Sequence, residues 1–150
     1  MEVSLKEFIS GGPFGSVEVG MDRAKVLDAF GVPVDWEDDA PSYKKANIWK
    51  YCDVEFYFQD DNLWMIFISE FDVPNGGDQI ELDVWGLSGQ LTRSEAEAKL
   101  KAANIHYHTE PFPYNDNGIH LVTKAKTVLA FNGKVGEEAT LRAIHRRVKL

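Results

Sequence analysis

A chain of 150 residues that is 44% hydrophobic and 27% charged buries roughly 68–70% of its unfolded surface on folding, which excludes a disordered tail and a miniprotein that needs disulfide staples. The formal charge is −8, and residues 34–83 carry thirteen acids against three bases. A field of that sign repels nucleic acid and anionic lipid and favours encounter with a cationic partner.

No stretch reaches the ~18 consecutive apolar residues of a membrane span. The opening MEVSLKEFISGG has neither the basic nor the apolar region of a secretion signal. The single cysteine, Cys52, cannot pair within the chain. These features predict a soluble cytoplasmic protein in which Cys52 is a small, half-buried hydrophobe within a strand.

The first clear element is MDRAKVLDAFGVP, residues 21–33. It predicts a helix opened by Asp22, with Ala24, Leu27 and Phe30 on its apolar side, stopped by Gly31 with Pro33 beyond. An acidic loop, VDWEDDAPSYKKAN, leads into WKYCDVEFYF, residues 49–58, and LWMIFISEF, residues 63–71. Separated by QDDN, these two runs predict a β-hairpin. After the turn signal PNGGD, the alternation in QIELDVW predicts a third strand.

The second half opens on LTRSEAEAKLKAAN, residues 91–104. Thr92 and Glu95 have the spacing of a capping box, Leu91 is placed to staple onto Ala96, and Ala96, Leu100 and Ala103 form the buried stripe. Asn104 suits the C-terminal cap. Strands follow at IHYHTE, GIHLVTK and TVLAF, joined by PYNDNG and NGK. The run EEATLRAIHRR, residues 137–147, predicts a closing helix with Leu141, Ile144 and Val148 on its apolar side and a basic last turn. The expected fold is α+β in one domain: an antiparallel sheet with helices packed on one face, built from two degenerate helix-plus-three-strand repeats over approximately residues 1–85 and 86–150.

In a sheet covered on one side, alternate residues face opposite ways. If residues 49–58 form one strand, Cys52, Val54, Phe56 and Phe58 point to the helices. Trp49, Tyr51, Asp53, Glu55 and Tyr57 then share the other face. On the neighbouring strand Trp64, Ile66 and Ile68 are expected inward, and Met65, Phe67 and Phe71 outward. A patch of aromatics ringed by acids exceeds what solubility requires and suggests a protein-binding surface.

Catalytic motifs fail on inspection. GLSGQ has Gln90 where a nucleophile elbow needs its second glycine, and GGPFGS lacks the lysine of a phosphate loop. Asp38–Asp39 and Asp60–Asp61 fall in predicted loops, as solvated turn residues do. Histidine has more chemical potential. His106 and His108 lie two apart on one strand and His120 on the next, all expected to point away from the core. Three converging imidazoles are the donor set of a hydrolytic zinc site, with Glu110 the nearest candidate base. This arrangement is the alternative of a metal-dependent enzyme; a small-molecule binder with an apolar pocket between helix and sheet is another.

The order GSVEVGMDRAKVLDAFGVP, then WKYCDVEFYF and LWMIFI, resembles the helix, loop and strand pair of the β-lactamase inhibitory protein repeats. It is also similar to the small domain of outer-membrane assembly lipoproteins, and to small bacterial immunity-type proteins with a W-K-Y-G-D-x-E-F-x-F-like strand. The resemblance covers residues 15–71, and the second half by element order alone. Cys52 stands where the related pattern has glycine. With no secretion or lipoprotein signal recognised in its opening residues, the chain is expected to differ from the secreted inhibitor and the lipoprotein. The resemblance implies a non-enzymatic binder that docks a partner protein.

Together these readings predict a cytoplasmic interaction module without a cofactor. Its partner would be a basic protein such as a nuclease-like toxin, with Trp49, Tyr51, Tyr57 and Phe67 as anchors. Asp53, Glu55 and Glu70 would pair with its arginines and lysines.

Overall fold

The computed structural model describes residues 1–69, 71–112, 118–133 and 136–148. The strands are β1 (Glu2–Ser4), β2 (Asp35–Trp36), β3 (Ile48–Tyr51), β4 (Val54–Gln59), β5 (Asn62–Ser69), β6 (Glu81–Asp83), β7 (Tyr107–Pro111), β8 (Ile119–Thr123), β9 (Val128–Asn132) and β10 (Thr140–Arg147). The helices are α1 (Leu5–Ser10), α2 (Arg23–Phe30) and α3 (Arg93–Ala102). Eight strands form one antiparallel sheet in the order β2-β3-β4-β5-β10-β9-β8-β7, and β1 pairs with β6 in parallel as a separate two-stranded sheet. Residues 80–84 thus contribute a strand, as their alternation implies, but one joined to β1 and not to the hairpin before it. No helix among the described residues is long and apolar enough to cross a membrane.

Both long helices begin as their local sequence dictates. Asp22 accepts from the Lys25 amide (3.1 Å) at the start of α2, and the Gly31 amide donates back to the Leu27 carbonyl. The Thr92–Glu95 box is complete, with Glu95 N donating to Thr92 Oγ1 and Thr92 N to Glu95 Oε1. Asn104 follows α3 at φ +59°, the left-handed position that ends helices. The buried stripe of α2 differs from expectation: Val26 and Phe30 are buried while Ala24 is exposed. Phe30 stacks on Phe56 of β4 and meets Tyr51 of β3 edge-on.

The run 49–58 is two strands. Cys52 and Asp53 form a tight turn with Tyr51 paired to Val54 and Trp49 to Phe56. Cys52 adopts φ +56°, a conformation natural to glycine. Its side chain is exposed, not half-buried in a strand. The turn also reverses the expected facing. Residues 49 and 51 lie on the same side as 54, 56 and 58, and Trp49 and Tyr51 are each only 1% exposed. Trp49 Nε1 donates to the Tyr43 carbonyl (2.7 Å) and Tyr51 Oη to the Gly31 carbonyl (2.7 Å), so the polar ends of both rings are satisfied indoors.

The closing segment is also a strand, not a helix. β10 lies at the sheet's centre between β5 and β9, with Ile144 opposite Ile68 on one side and Leu129 on the other. A bulge between Leu141 and Ala143 inserts one extra residue. The bulge leaves Leu141 and Ile144 on the core side at a spacing of three, which imitates a helical stripe. Hydrogen bonding on both edges decides the matter. Within the large sheet four strands follow each long helix, β2–β5 after α2 and β7–β10 after α3, where three were expected, and β6 after β5 belongs to the small sheet.

Arg146, on β10, is 4% exposed. Its Nε donates to Thr127 Oγ1 (2.9 Å), Nη1 to the Gly12 carbonyl (2.9 Å) and to Glu18 Oε2 (2.7 Å), and Nη2 to the Phe8 carbonyl. The guanidinium lies 4.3 Å from the Phe8 ring centroid. Replacing this arginine strands a carboxylate and several carbonyls at once. Arg146→Met should therefore lower unfolding free energy by about 3 kcal/mol, and Arg146→Lys, which keeps the charge but not the planar fork, should recover only part of it. Urea unfolding of the three proteins checks the order.

Candidate functional site

The side of the sheet opposite α2 is built by alternation from β4 to β8. On β4, Glu55 and Tyr57 alternate with the buried Val54, Phe56 and Phe58. A bulge in the β4–β5 register sets Trp64 beside Tyr57 (ring centroids 5.8 Å) on this outer side, while Ile66 and Ile68 face inward as expected. Phe67 is half-buried next to Tyr57, 6.3 Å between centroids. Phe71 is 9% exposed and belongs to the core, not to the outer face.

The row continues across the sheet's centre. Phe67 stacks on His145 of β10 (5.6 Å), and His145 meets His120 of β8 edge-on (6.0 Å). His120 in turn stacks on Phe112, just beyond β7 (5.1 Å). Opposite His120 on β9 lies Ala130, whose methyl group is no obstacle between the imidazoles. Five rings therefore run in sequence across the sheet: Tyr57, Phe67, His145, His120 and Phe112.

The polar groups of this row are set by burial. Tyr57 Oη donates to Glu55 Oε2 (2.6 Å). Burial first, then that bond and the carboxylate charge, raise the phenol well above its usual range, so it stays a donor. Burial lowers the His145 pKa from 6.5 to about 4, helped by His120 and Arg147, and its Nδ1 has no hydrogen-bond partner among the described residues. Burial also lowers the pKa of His120, against an opposing pull from Glu110. Both rings are neutral at pH 7 and act as aromatic surface.

The residues singled out from sequence are divided by the fold. Glu55, Tyr57 and Phe67 come together on the outer face. Trp49 and Tyr51 lie beneath the opposite side and are withdrawn from any partner. Asp53 sits in the β3–β4 turn, where its carboxylate accepts from the Asn75 amide and its own amide donates to the Asn75 carbonyl, both 2.9 Å. Glu70 lies outside the described residues. His145 escapes sequence reasoning because residues 137–147 read as a helix. The Y-H-T-E-P-F run was the available signal for Phe112, since alternation beyond β7 leads to it.

The histidines do not gather as a metal site. His106 is exposed ahead of β7, and His108 Nε2 lies 3.4 Å from Glu110 Oε1 at the exposed edge. His120 is engaged by Phe112 and His145. Among the described residues no group of three histidine, cysteine or acidic side chains is arranged to hold a metal ion. Beside α2 lies a cavity of about 470 Å³ lined by Asp22, Arg23, Leu27, Tyr43, Lys44, Trp49 and Asp61 among others. Arg23 occupies its rim, pairing with Asp61 (3.0 Å) and lying 4.5 Å from the Phe58 ring centroid. Compared with protein-family models, curated proteins and solved structures, the chain matches none.

The lowered pKa of His145 makes stability depend on pH. Its folded value lies below the unfolded 6.5, so between about pH 6.5 and pH 4 the folded state binds fewer protons and loses stability as the pH falls. His145→Phe keeps a ring in the row and removes the titration. The variant should lose about 2 kcal/mol less than the wild type between pH 7 and pH 4. Denaturant melts at the two pH values measure the difference.

Proposed function

We propose that this chain is a non-catalytic protein-binding module whose outer sheet face docks a basic protein, most concretely as an immunity-type inhibitor of a cationic, nuclease-like toxin. The observation that carries the reading is the row of rings from Tyr57 to Phe112, a large aromatic surface on a rigid sheet. The helix contacts support it. Phe30 of α2 meets Tyr51 and Phe56, the Phe8 carbonyl of α1 takes Thr127 and Arg146, and Glu97 of α3 accepts from Tyr107 Oη. These contacts all fall on the inner side, so the helices would leave the row to a partner.

In this reading Tyr57 and Phe67 are the anchors, and His145 and His120 extend them as neutral rings. Glu55 holds Tyr57 in place through one oxygen and offers the other to a partner's arginine or lysine. The acidic body of residues 34–83 steers the encounter. The same reading extends to the architecture. Counting strands of the large sheet alone, the succession of a helix and four strands occurs twice, and the strand order runs outward in both directions from the β5–β10 pair. That order supports a duplicated unit joined edge to edge.

Affinity capture from the source cell, with wild type and Phe67→Ala side by side, tests the proposal. The wild type should retain one dominant basic protein, and the variant should bind it at least tenfold more weakly. Glu55→Lys should slow association severalfold and flatten its dependence on salt. Equal retention by wild type and Phe67→Ala, or no basic protein retained by either, overturns the proposal.

A further inference from the structure

Away from the sheet's outer face, residues 84–87 form a turn closed by Leu87 N donating to the Val84 carbonyl (2.9 Å). Its two central residues, Trp85 and Gly86, are both left-handed, at φ +53° and +71°. Glycine adopts that conformation freely; tryptophan does not. Among the other described non-glycine residues at positive φ, Asp60, Asp61 and Asn104 are types that tolerate it, and Cys52 and Lys126 are not. A half-buried indole at such a position carries backbone strain.

That ring carries two cations from different elements. Lys99 Nζ of α3 lies 4.8 Å from the indole centroid, and Lys6 Nζ of α1 lies 5.8 Å from it. Neither lysine has a carboxylate within salt-bridge distance among the described residues. Two acids on neighbouring segments, Asp83 and Glu95, accept hydrogen bonds from the backbone and keep their charge. Asp83 accepts from the Trp85 amide (3.3 Å), and Glu95 accepts from Thr92 N and Oγ1 in the α3 cap, which lowers its pKa. Around the ring opens a cavity of about 580 Å³, completed by Leu91, Glu95, Ala102 and Ala103. It therefore combines a π face, apolar walls and two ammonium groups against a single lining carboxylate, Glu95, which is held in the α3 cap.

We propose that this cavity binds a small planar anion, an aromatic ring bearing a carboxylate or phosphate, with the ring against Trp85 and the anionic group between Lys6 and Lys99. The site is independent of the outer face and of the partner proposed for it. An anion there satisfies both ammonium groups together, and a planar body covers the exposed part of the indole.

The test uses the full chain and four probes, read by calorimetry and indole fluorescence. Adenosine monophosphate and 2-naphthoate carry ring and charge, adenosine the ring alone, and inorganic phosphate the charge alone. At least one of the two planar anions should saturate near or below about 1 mM, with adenosine and phosphate each weaker by tenfold or more. Which of the two anions binds distinguishes phosphate from carboxylate. Lys6→Gln combined with Lys99→Gln, both outside the core, should weaken binding at least tenfold. Trp85→Phe should abolish the fluorescence change while leaving the signals of Trp36, Trp49 and Trp64. The proposal is overturned if neither planar anion saturates by about 10 mM, if adenosine binds as well as its monophosphate, or if the double lysine variant binds as the wild type does.

Discussion

The guanidinium of Arg146 ties together parts of the chain that are otherwise far apart in sequence. Withdrawing a positive charge from water costs several kcal/mol, and only a full set of acceptors in good geometry offsets it. Here the acceptors are Thr127 on the approach to β9, the Phe8 and Gly12 carbonyls at the end of α1, and the Glu18 carboxylate. A helix end always leaves carbonyls without internal partners, and α1 gives one of its own to a strand from the far end of the chain. The register of β10, the end of α1 and the path of residues 12–18 are therefore mutually dependent. Displacing any one of them leaves a buried charge or a buried carbonyl unsatisfied.

Because β10 is held in this way, it joins the two groups of strands along its pairing with β5, and each side of the sheet acquires its own aromatic population. The inner population is a core cluster: Phe8, Phe14, Phe30, Tyr51 and Phe56 pack mostly edge to face under α1 and α2. The outer population is a row one ring deep that passes from β4 to β8 through His145. Two irregularities aim these rings. The bulge opposite Tyr57 and Phe58 brings Trp64 to the outer side, and the bulge at Leu141 and Ala143 restores the phase of β10 so that His145 faces outward while Ile144 and Arg146 face in.

Features with a local cause were legible in the sequence. The caps at Asp22, Gly31, Thr92 with Glu95, and Asn104 depend on residues within a few positions of one another, and each lies where its chemistry requires. The Asp60–Asp61 hairpin turn belongs to the same class, its two residues left-handed at φ +52° and +65°. Glu55, Tyr57 and Phe67 were placed correctly on the outer face because alternation holds within an unbroken strand. His145 was not, since a spacing of three between Leu141 and Ile144 reads as helical unless the bulge between them is known.

The sequence by itself determined the acidic middle third, the boundaries of α2 and α3 and the existence of the β4–β5 hairpin, all of which follow from composition or from contacts between near neighbours. Only the tertiary structure decided which side of the sheet each aromatic faces and that residues 140–147 are a strand. The physical reason is the period of two along a strand. Alternation sets which residues share a face, but a one-residue shift, at the Cys52 turn or the β10 bulge, exchanges inside for outside. That shift becomes visible only when the partner strands and the helices on the core side are in place. It is why Trp49 and Tyr51 belong to the core and Tyr57 and Phe67 to the surface.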